Sequence, residues 1–231
     1  PIQTYLVREG HETNAYEAVR KELKAGRQAY FVYPAIENAD HETEIKNVQD
    51  AFKKLSGTVY KEFRTAMLHS KMDEEEQIRI LKEFQEGKIQ ILAATTVIEV
   101  GVDIPNATSI VIEQADRFGL AQLHQLRGRV GRGAAQSFCY LIYSNKITEK
   151  GIERMKVLRQ NTDGFIIAEK DLELRGPGEI NGTAQAGILE LGIADLERDK
   201  KILETARYDA FDFVRKLHNE HSPTQHTQTN D

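Results

Sequence analysis

The chain has 231 residues, 40% of them hydrophobic and 29% charged, with a net charge of −5. That length allows a real core in one large or two small domains. The acidic balance excludes nucleic-acid binding through the overall field and leaves only local patches. The single cysteine, Cys139, lies in the apolar run SFCYLIY. It excludes an internal disulfide and a cysteine-built zinc site, and reads as a buried core thiol in a reducing cytoplasm. No apolar stretch reaches the roughly 18 residues of a membrane span. The opening PIQTYLVREG lacks the basic-then-apolar pattern of a signal peptide. A chain that starts at Pro1 and enters a strand-like IQTYLV at once reads as a piece of something longer.

After that strand, Asn14 and Glu17 are spaced as a capping box, and Tyr16, Val19 and Leu23 recur at helical spacing until Gly26 closes the helix. QAYFVYP (28–34) is apolar and aromatic, which predicts a buried strand ended by Pro34. A loop with Glu37, Asn38 and Asp40 precedes a helix presenting Ile45, Val48, Phe52 and Leu55 on one face. TAMLHS predicts a third strand. Asp73 with Glu76 forms a second box, opening a helix that buries Ile78, Leu81 and Phe84 and stops at Gly87. IQILAATTVIEVGVDIPNAT reads as a strand running into a threonine-rich turn, SIVIEQ as a strand, and SFCYLIYS as the last of the series. This alternation predicts one α/β domain up to about residue 144, a parallel sheet with helices on both faces. The near-continuous apolar strands agree with that.

Thr148 to Gln160 predicts another helix, with Ile152, Met155 and Leu158 inward and Arg154 and Arg159 among the polar positions. The stretch NTDGFIIAEKDLELRGPGEINGTAQAG has little periodicity and reads as a long functional loop. Residues 196–217 are helical again, with Leu203, Ala206, Ala210, Phe213 and Leu217 spaced by three and four. From Asn219 the tail is polar and predicted to be disordered.

Chemistry concentrates in two stretches. QLHQLRGRVGRG (122–133) sets Arg127, Arg129 and Arg132 among Gly128, Gly131 and Gly133, and no Asp or Glu occurs from Arg117 to Thr148. Arginine's rigid donor fork suits phosphate, and glycine allows close approach and positive φ. The stretch reads as an arginine clamp on phosphate, or more plainly as a solvated basic turn. In ATTVIEVGVDIP, Thr95 and Thr96 at a strand's carboxyl end offer hydroxyls and N–H groups to phosphate, and Gly101 permits a tight approach. Asp103 accepts from a ribose hydroxyl or holds a clamp arginine. The plainer reading is a strand end with threonines chosen for β propensity. His69, Ser70 and Lys71 end another strand, within reach of a nucleic-acid backbone or simply exposed. Gln122 offers a nucleotide or inter-domain contact. In ELRGPGE, Pro177 between two glycines makes a stiff turn flanked by Arg175 and Glu179. His218, His221 and His226 lie on a polar end, and no metal site is expected there.

Two absences shape the reading. There is no G-x-x-x-x-G-K-[ST] cradle and no acidic pair after a strand for magnesium. A clamp without a cradle is what half of a two-lobed NTPase contains when it supplies arginine fingers to the other half. ATTVIEVGVDIPNAT and QLHQLRGRVGRG resemble motifs V and VI of superfamily 2 helicases, with QAYFVYP where motif IV falls. DRFGLAQLHQLRGRVGRG followed by DGFIIAEKDLELRGPGEINGTAQAG is similar to the RecG family of ATP-dependent helicases, which reverse stalled forks and migrate branched DNA. The resemblance extends to about Arg207.

It implies a RecA-like second helicase lobe over 1–145, and a translocation motif of helical hairpin and loop over 146–195. A C-terminal helix over 196–218 and a disordered tail over 219–231 complete the chain. It implies that Arg129 and Arg132 are the fingers on ATP, that Gly101, Asp103, Gln122 and Gln125 face the nucleotide, and that Thr95, Thr96, His69 and Lys71 meet DNA. Arg154, Arg175 and Gln185 would belong to the translocation motif. ATP and Mg2+ would be held mainly by a first motor lobe, with that lobe, a wedge domain and branched or forked DNA as partners. The setting implied is a monomer in the bacterial cytoplasm, associated with the nucleoid. Two alternatives stand beside it. One is the second lobe of a transcription-repair coupling translocase, which usually has Gly-Ala-Gly where this chain has Gly176, Pro177 and Gly178. The other is a non-catalytic RecA-like nucleic-acid-binding module.

Overall fold

Six short apolar runs become strands: β1 (Gln3–Arg8), β2 (Gln28–Val32), β3 (Thr65–Leu68), β4 (Ile91–Ala94), β5 (Ala107–Ile112) and β6 (Phe138–Tyr143). All pair parallel in one sheet of order β1-β6-β5-β2-β4-β3. Parallel neighbours need crossovers, and these are mostly helices: α1 (Thr13–Lys24), α2 (His41–Lys54), α3 (Glu74–Gln85) and α4 (Leu120–Arg127). α5 (Glu149–Gln160) and α6 (Gly164–Arg175) follow β6. The computed structural model describes residues 2–34, 41–95, 103–175 and 200–220.

Every residue of β2, β4 and β5 is buried, as strands covered on both faces must be. On one face Val19 and Leu23 of α1 pack with Phe31, Leu55 and Tyr60. On the other, Phe84, Leu123, Leu126, Met155, Leu158 and Ile167 bring in α3, α4, α5 and α6. The expected RecA-like architecture is the one observed. A second compact unit begins at Asn181, and its described part is one helix, α7 (Lys200–Glu220).

Several local expectations need correction. Neither capping box forms: α1 is capped at Glu12 and α3 at Asp73, and neither side chain accepts a cap hydrogen bond. Side-chain caps form elsewhere: Thr148 Oγ1 accepts from Gly151 N at 3.1 Å, and Asp163 Oδ1 from Phe165 N at 2.8 Å. α3 buries Ile80 with Phe84, while Ile78 is 59% exposed. The Phe84 ring lies 5.1 Å from that of Tyr30 and so fixes the inward face, on which Ile80 sits one turn back. The stretch after Gln160 contains helix α6, which its periodicity did not signal. α7 runs through Asn219 to Glu220, past the expected start of disorder. Gly26 and Gly87 end their helices as expected, at φ of +81° and +73°.

Candidate functional site

The arginine stretch is placed by the direction of α4. β5 ends at Ile112, a 3₁₀ turn (Ala115–Arg117) follows, and α4 runs back along the sheet with Leu120, Leu123 and Leu126 buried. The loop after α4 therefore lies across the amino ends of the strands. Ser137, just ahead of β6, accepts from Gln3 N at 2.9 Å. A Cβ on Gly131, whose φ is +83°, would fall 2.8 Å from Ile2, and one on Gly133 would fall 2.4 Å from the carbonyl oxygen of Pro105. Glycine is required at both positions, and the close neighbour at each is the chain itself.

This packing joins the two motif segments. Arg132 Nη1 donates to Asp103 Oδ2 at 3.1 Å, and its Nε donates to Gly128 O at 3.1 Å. The side chains are 45% and 61% exposed, so the pair adds little stability and acts as an aiming contact. Of the two partners proposed for Asp103, the structure shows the arginine. Arg129 is half-buried on the same loop. Tyr30 of β2 registers both charges: burial raises its phenol most, Arg129 opposes that and Asp103 adds to it.

Arg127 is not part of the clamp. It is 3% exposed and donates through Nη1 to Leu158 O and, at 2.8 Å, to Asn161 O. Its Nη2 lies 3.0 Å from His124 Nδ1. Burial lowers the pKa of both side chains, and for His124 the neighbouring Arg127 lowers it further. Arg127 thus pins the end of α4 to the end of α5. Gln122 is half-buried on α4 and Gln125 is exposed. Arg154, expected to serve translocation, turns toward the carbonyls of Phe118 and Asp116, each at 3.5 Å. Asp116 Oδ1 in turn accepts from Ser144 N at 2.9 Å, a tie between the ends of β5 and β6 that the sequence did not signal.

The candidate nucleic-acid residues lie at the opposite, carboxyl edge. Thr95 at the end of β4 is buried, its N donates to Leu68 O at 3.3 Å, and its hydroxyl has no partner among the described residues. His69 at the end of β3 is buried and its Nδ1 accepts from Lys71 N at 3.3 Å, while the Lys71 side chain is exposed. Thr95 and His69 thus lie at one edge of the sheet, and Asp103 and the arginine loop at the other. Thr96, Gly101 and Gln185, with Gly176, Pro177, Gly178 and Glu179, lie outside the described residues, as do Glu37, Asn38, Asp40, His221 and His226. Arg175 closes α6, and its side chain is also outside them. No group of three or more His, Cys, Asp or Glu suited to a metal ion occurs among the described residues. Nor is any described helix long and apolar enough to cross a membrane.

Residues 14–134 match the family model of the helicase conserved C-terminal domain. Residues 161–228 match that of ATP-dependent DNA helicase RecG, domain 3, C-terminal. The chain is 49% identical over 219 residues to ATP-dependent DNA helicase RecG of Treponema pallidum (strain Nichols), covering 94% of this chain and 32% of that protein. It is 47% identical over 213 residues to the RecG of Bacillus subtilis (strain 168), covering 92% and 31%. The chain thus spans about a third of the length of these curated relatives. A solved structure of RecG bound to a three-way DNA junction superposes with a TM-score of 0.67 at 44% identity, over 88% of this chain and 26% of that one. The yeast DEAD-box splicing factor Prp28, at 16% identity and a TM-score of 0.54 over 81% of this chain and 39% of that one, shares the fold alone. The chain belongs to the helicase conserved C-terminal domain family, and it is similar to the C-terminal part of the RecG helicases.

Proposed function

We propose that this chain is the second motor lobe of an ATP-dependent helicase acting on branched or forked DNA in fork reversal, recombination and repair. The observation that carries the reading is the Arg132–Asp103 pair, which joins the two helicase-like motifs on one edge of the sheet. The residues present suit a nucleotide's phosphates: Arg129 and Arg132 stand on one loop, and Arg132 is already aimed by a carboxylate and a carbonyl. ATP, when bound, supplies the phosphoanhydride whose cleavage drives movement. Arg129 and Arg132 neutralise charge on its phosphates, Asp103 orients Arg132, and Gln122, Gln125 and Gly101 are the further residues assigned to the nucleotide. Mg2+ and the phosphate cradle belong to a first lobe.

DNA meets the other edge through Lys71 and Thr96, with His69 and Thr95, both buried, supporting the strand ends behind them. Residues 146–195 form the translocation motif, in which Arg175 and Gln185 contact the DNA backbone and Arg154 braces α5 against the turn before α4. Its described helices, α5 and α6, pack on α4, so a shift of the arginine loop is transmitted to them. The domain limits 1–145 and 196–218 belong to the same reading. So do a first lobe and wedge domain as partners, action as a monomer, and a place in the bacterial cytoplasm at the nucleoid.

The test is phosphate release by this chain with Mg2+, ATP and forked DNA. No turnover above background is expected, because the cradle is elsewhere. Turnover at helicase rates would contradict the division of labour and require a second catalytic site.

A further inference from the structure

A cavity of about 200 Å³ opens at the carboxyl ends of β1, β2, β5 and β6, and neither the arginine loop nor Thr95, His69 or Lys71 lines it. Its position follows from topology. β5 sends the chain to α4 on one face of the sheet, and its neighbour β2 sends it to α2 on the other, which parts the loops between them. Such switch points are where open α/β sheets hold ligands. The lining is unusual in composition: Glu9, Glu12 and Glu113 face one cation, Lys54, with Tyr16 and Tyr33 in the walls.

Glu113 is the central group. It stands directly after β5, and the Tyr16 hydroxyl donates to its Oε1 at 2.6 Å. No described residue donates to its second oxygen. The Tyr33 hydroxyl, at the end of β2, likewise makes no hydrogen bond among the described residues. We propose that this cavity receives the guanidinium of an arginine side chain carried by another polypeptide segment.

Charge, size and shape each support this. Three carboxylates against one ammonium repel phosphate and attract a cation. The volume lies below the roughly 300 Å³ at which small-molecule pockets begin, so it suits one long side chain and not a nucleotide. A guanidinium is planar and weakly hydrated, can bridge both oxygens of Glu113, and stacks on tyrosine faces. Lysine's ammonium is strongly hydrated and fits such a half-buried carboxylate less well. The environment of Glu113 agrees: burial raises its carboxyl pKa most, the Tyr16 hydrogen bond and Lys54 oppose that, Glu12 and Glu9 add to it, and the net shift is upward, so an incoming cation relieves a standing cost. This inference does not depend on the motor reading.

The experiment is an NMR titration of the 15N-labelled 231-residue chain with N-acetylarginine methylamide. Matched titrations use the norleucine and lysine analogues and agmatine. Saturable shifts at the amides of Tyr33, Glu113 and Gln114 are expected with the arginine compound and none with norleucine, with lysine weaker. Glu113→Gln should weaken arginine binding about tenfold. Lys54→Ala, which removes the competing cation, should strengthen it and guards against a result that reflects misfolding alone. Absence of saturable shifts, an equal response to norleucine, or unchanged affinity in Glu113→Gln would overturn the proposal. Tighter binding of agmatine than of the diamide would assign the cavity to a free small cation and overturn the polypeptide ligand.

Discussion

Arg127 and Arg132 stand five positions apart around the end of α4, and their surroundings give them different work. Arg127 is buried, with its donors spent on the carbonyls of Leu158 and Asn161, so its role is to hold α4 to α5. Arg127→Ala would leave those carbonyls without partners and should destabilise the chain by about 3 kcal/mol. Urea unfolding of the two chains measures this, and a loss below about 1 kcal/mol would show that the pin is dispensable. His124 shares that contact. Burial, and then Arg127, lowers its pKa below the ordinary 6.5. The unfolded chain therefore takes up the proton first as pH falls, and stability drops from 6.5 downward to the folded value. Unfolding midpoints at about pH 8 and about pH 5.5 should differ more for the native chain than for His124→Gln. An identical difference would remove His124 from the acid response. Cys139 is pushed up to about 12 by burial, which keeps it a thiol and suits a core position.

The loop 128–133 is built on two close approaches, Gly131 to Ile2 and Gly133 to Pro105. Gly133→Ala would force the loop away from the segment carrying Asp103 and part the Arg132–Asp103 pair. In the whole enzyme it should therefore lower ATP hydrolysis at least tenfold, roughly, while the helical circular dichroism of the sheet domain is kept. Full hydrolysis in that variant would show that the contact does not aim Arg132. The strands were legible because buried parallel strands are simply apolar, and the arginine loop because arginine with glycine has few other uses. The two-edge arrangement was not legible. It depends on where the loop after α4 packs, against Ile2 and Pro105, which residue types do not encode. α6 was missed for a different reason: Phe165 and Ile166 are exposed beside buried Ile167, and Asp171 is buried, so no one-sided pattern exists to read. Arg127 sits in the same run as Arg129 and Arg132, and only packing separates it from them.

At the scale of the whole motor, the arginine edge and the translocation motif should fail in different assays. Arg175→Ala or Gln185→Ala should leave DNA-stimulated ATP hydrolysis largely intact while fork unwinding is lost, because the role proposed for these residues is to couple movement to DNA and not to hold the nucleotide. A proportional fall of both activities would place the loop in the nucleotide site or the fold. The central claim is that Arg129 and Arg132 face the nucleotide and not DNA. Its most direct measurement is ATP hydrolysis and forked-DNA affinity on one preparation of the whole enzyme carrying Arg132→Ala. Hydrolysis should fall by roughly 10³-fold, as loss of an arginine finger does, with DNA affinity and its salt dependence unchanged. Near-normal hydrolysis with weakened DNA binding, and a salt dependence flattened by about one unit of slope, would instead place Arg132 on the DNA and contradict the account.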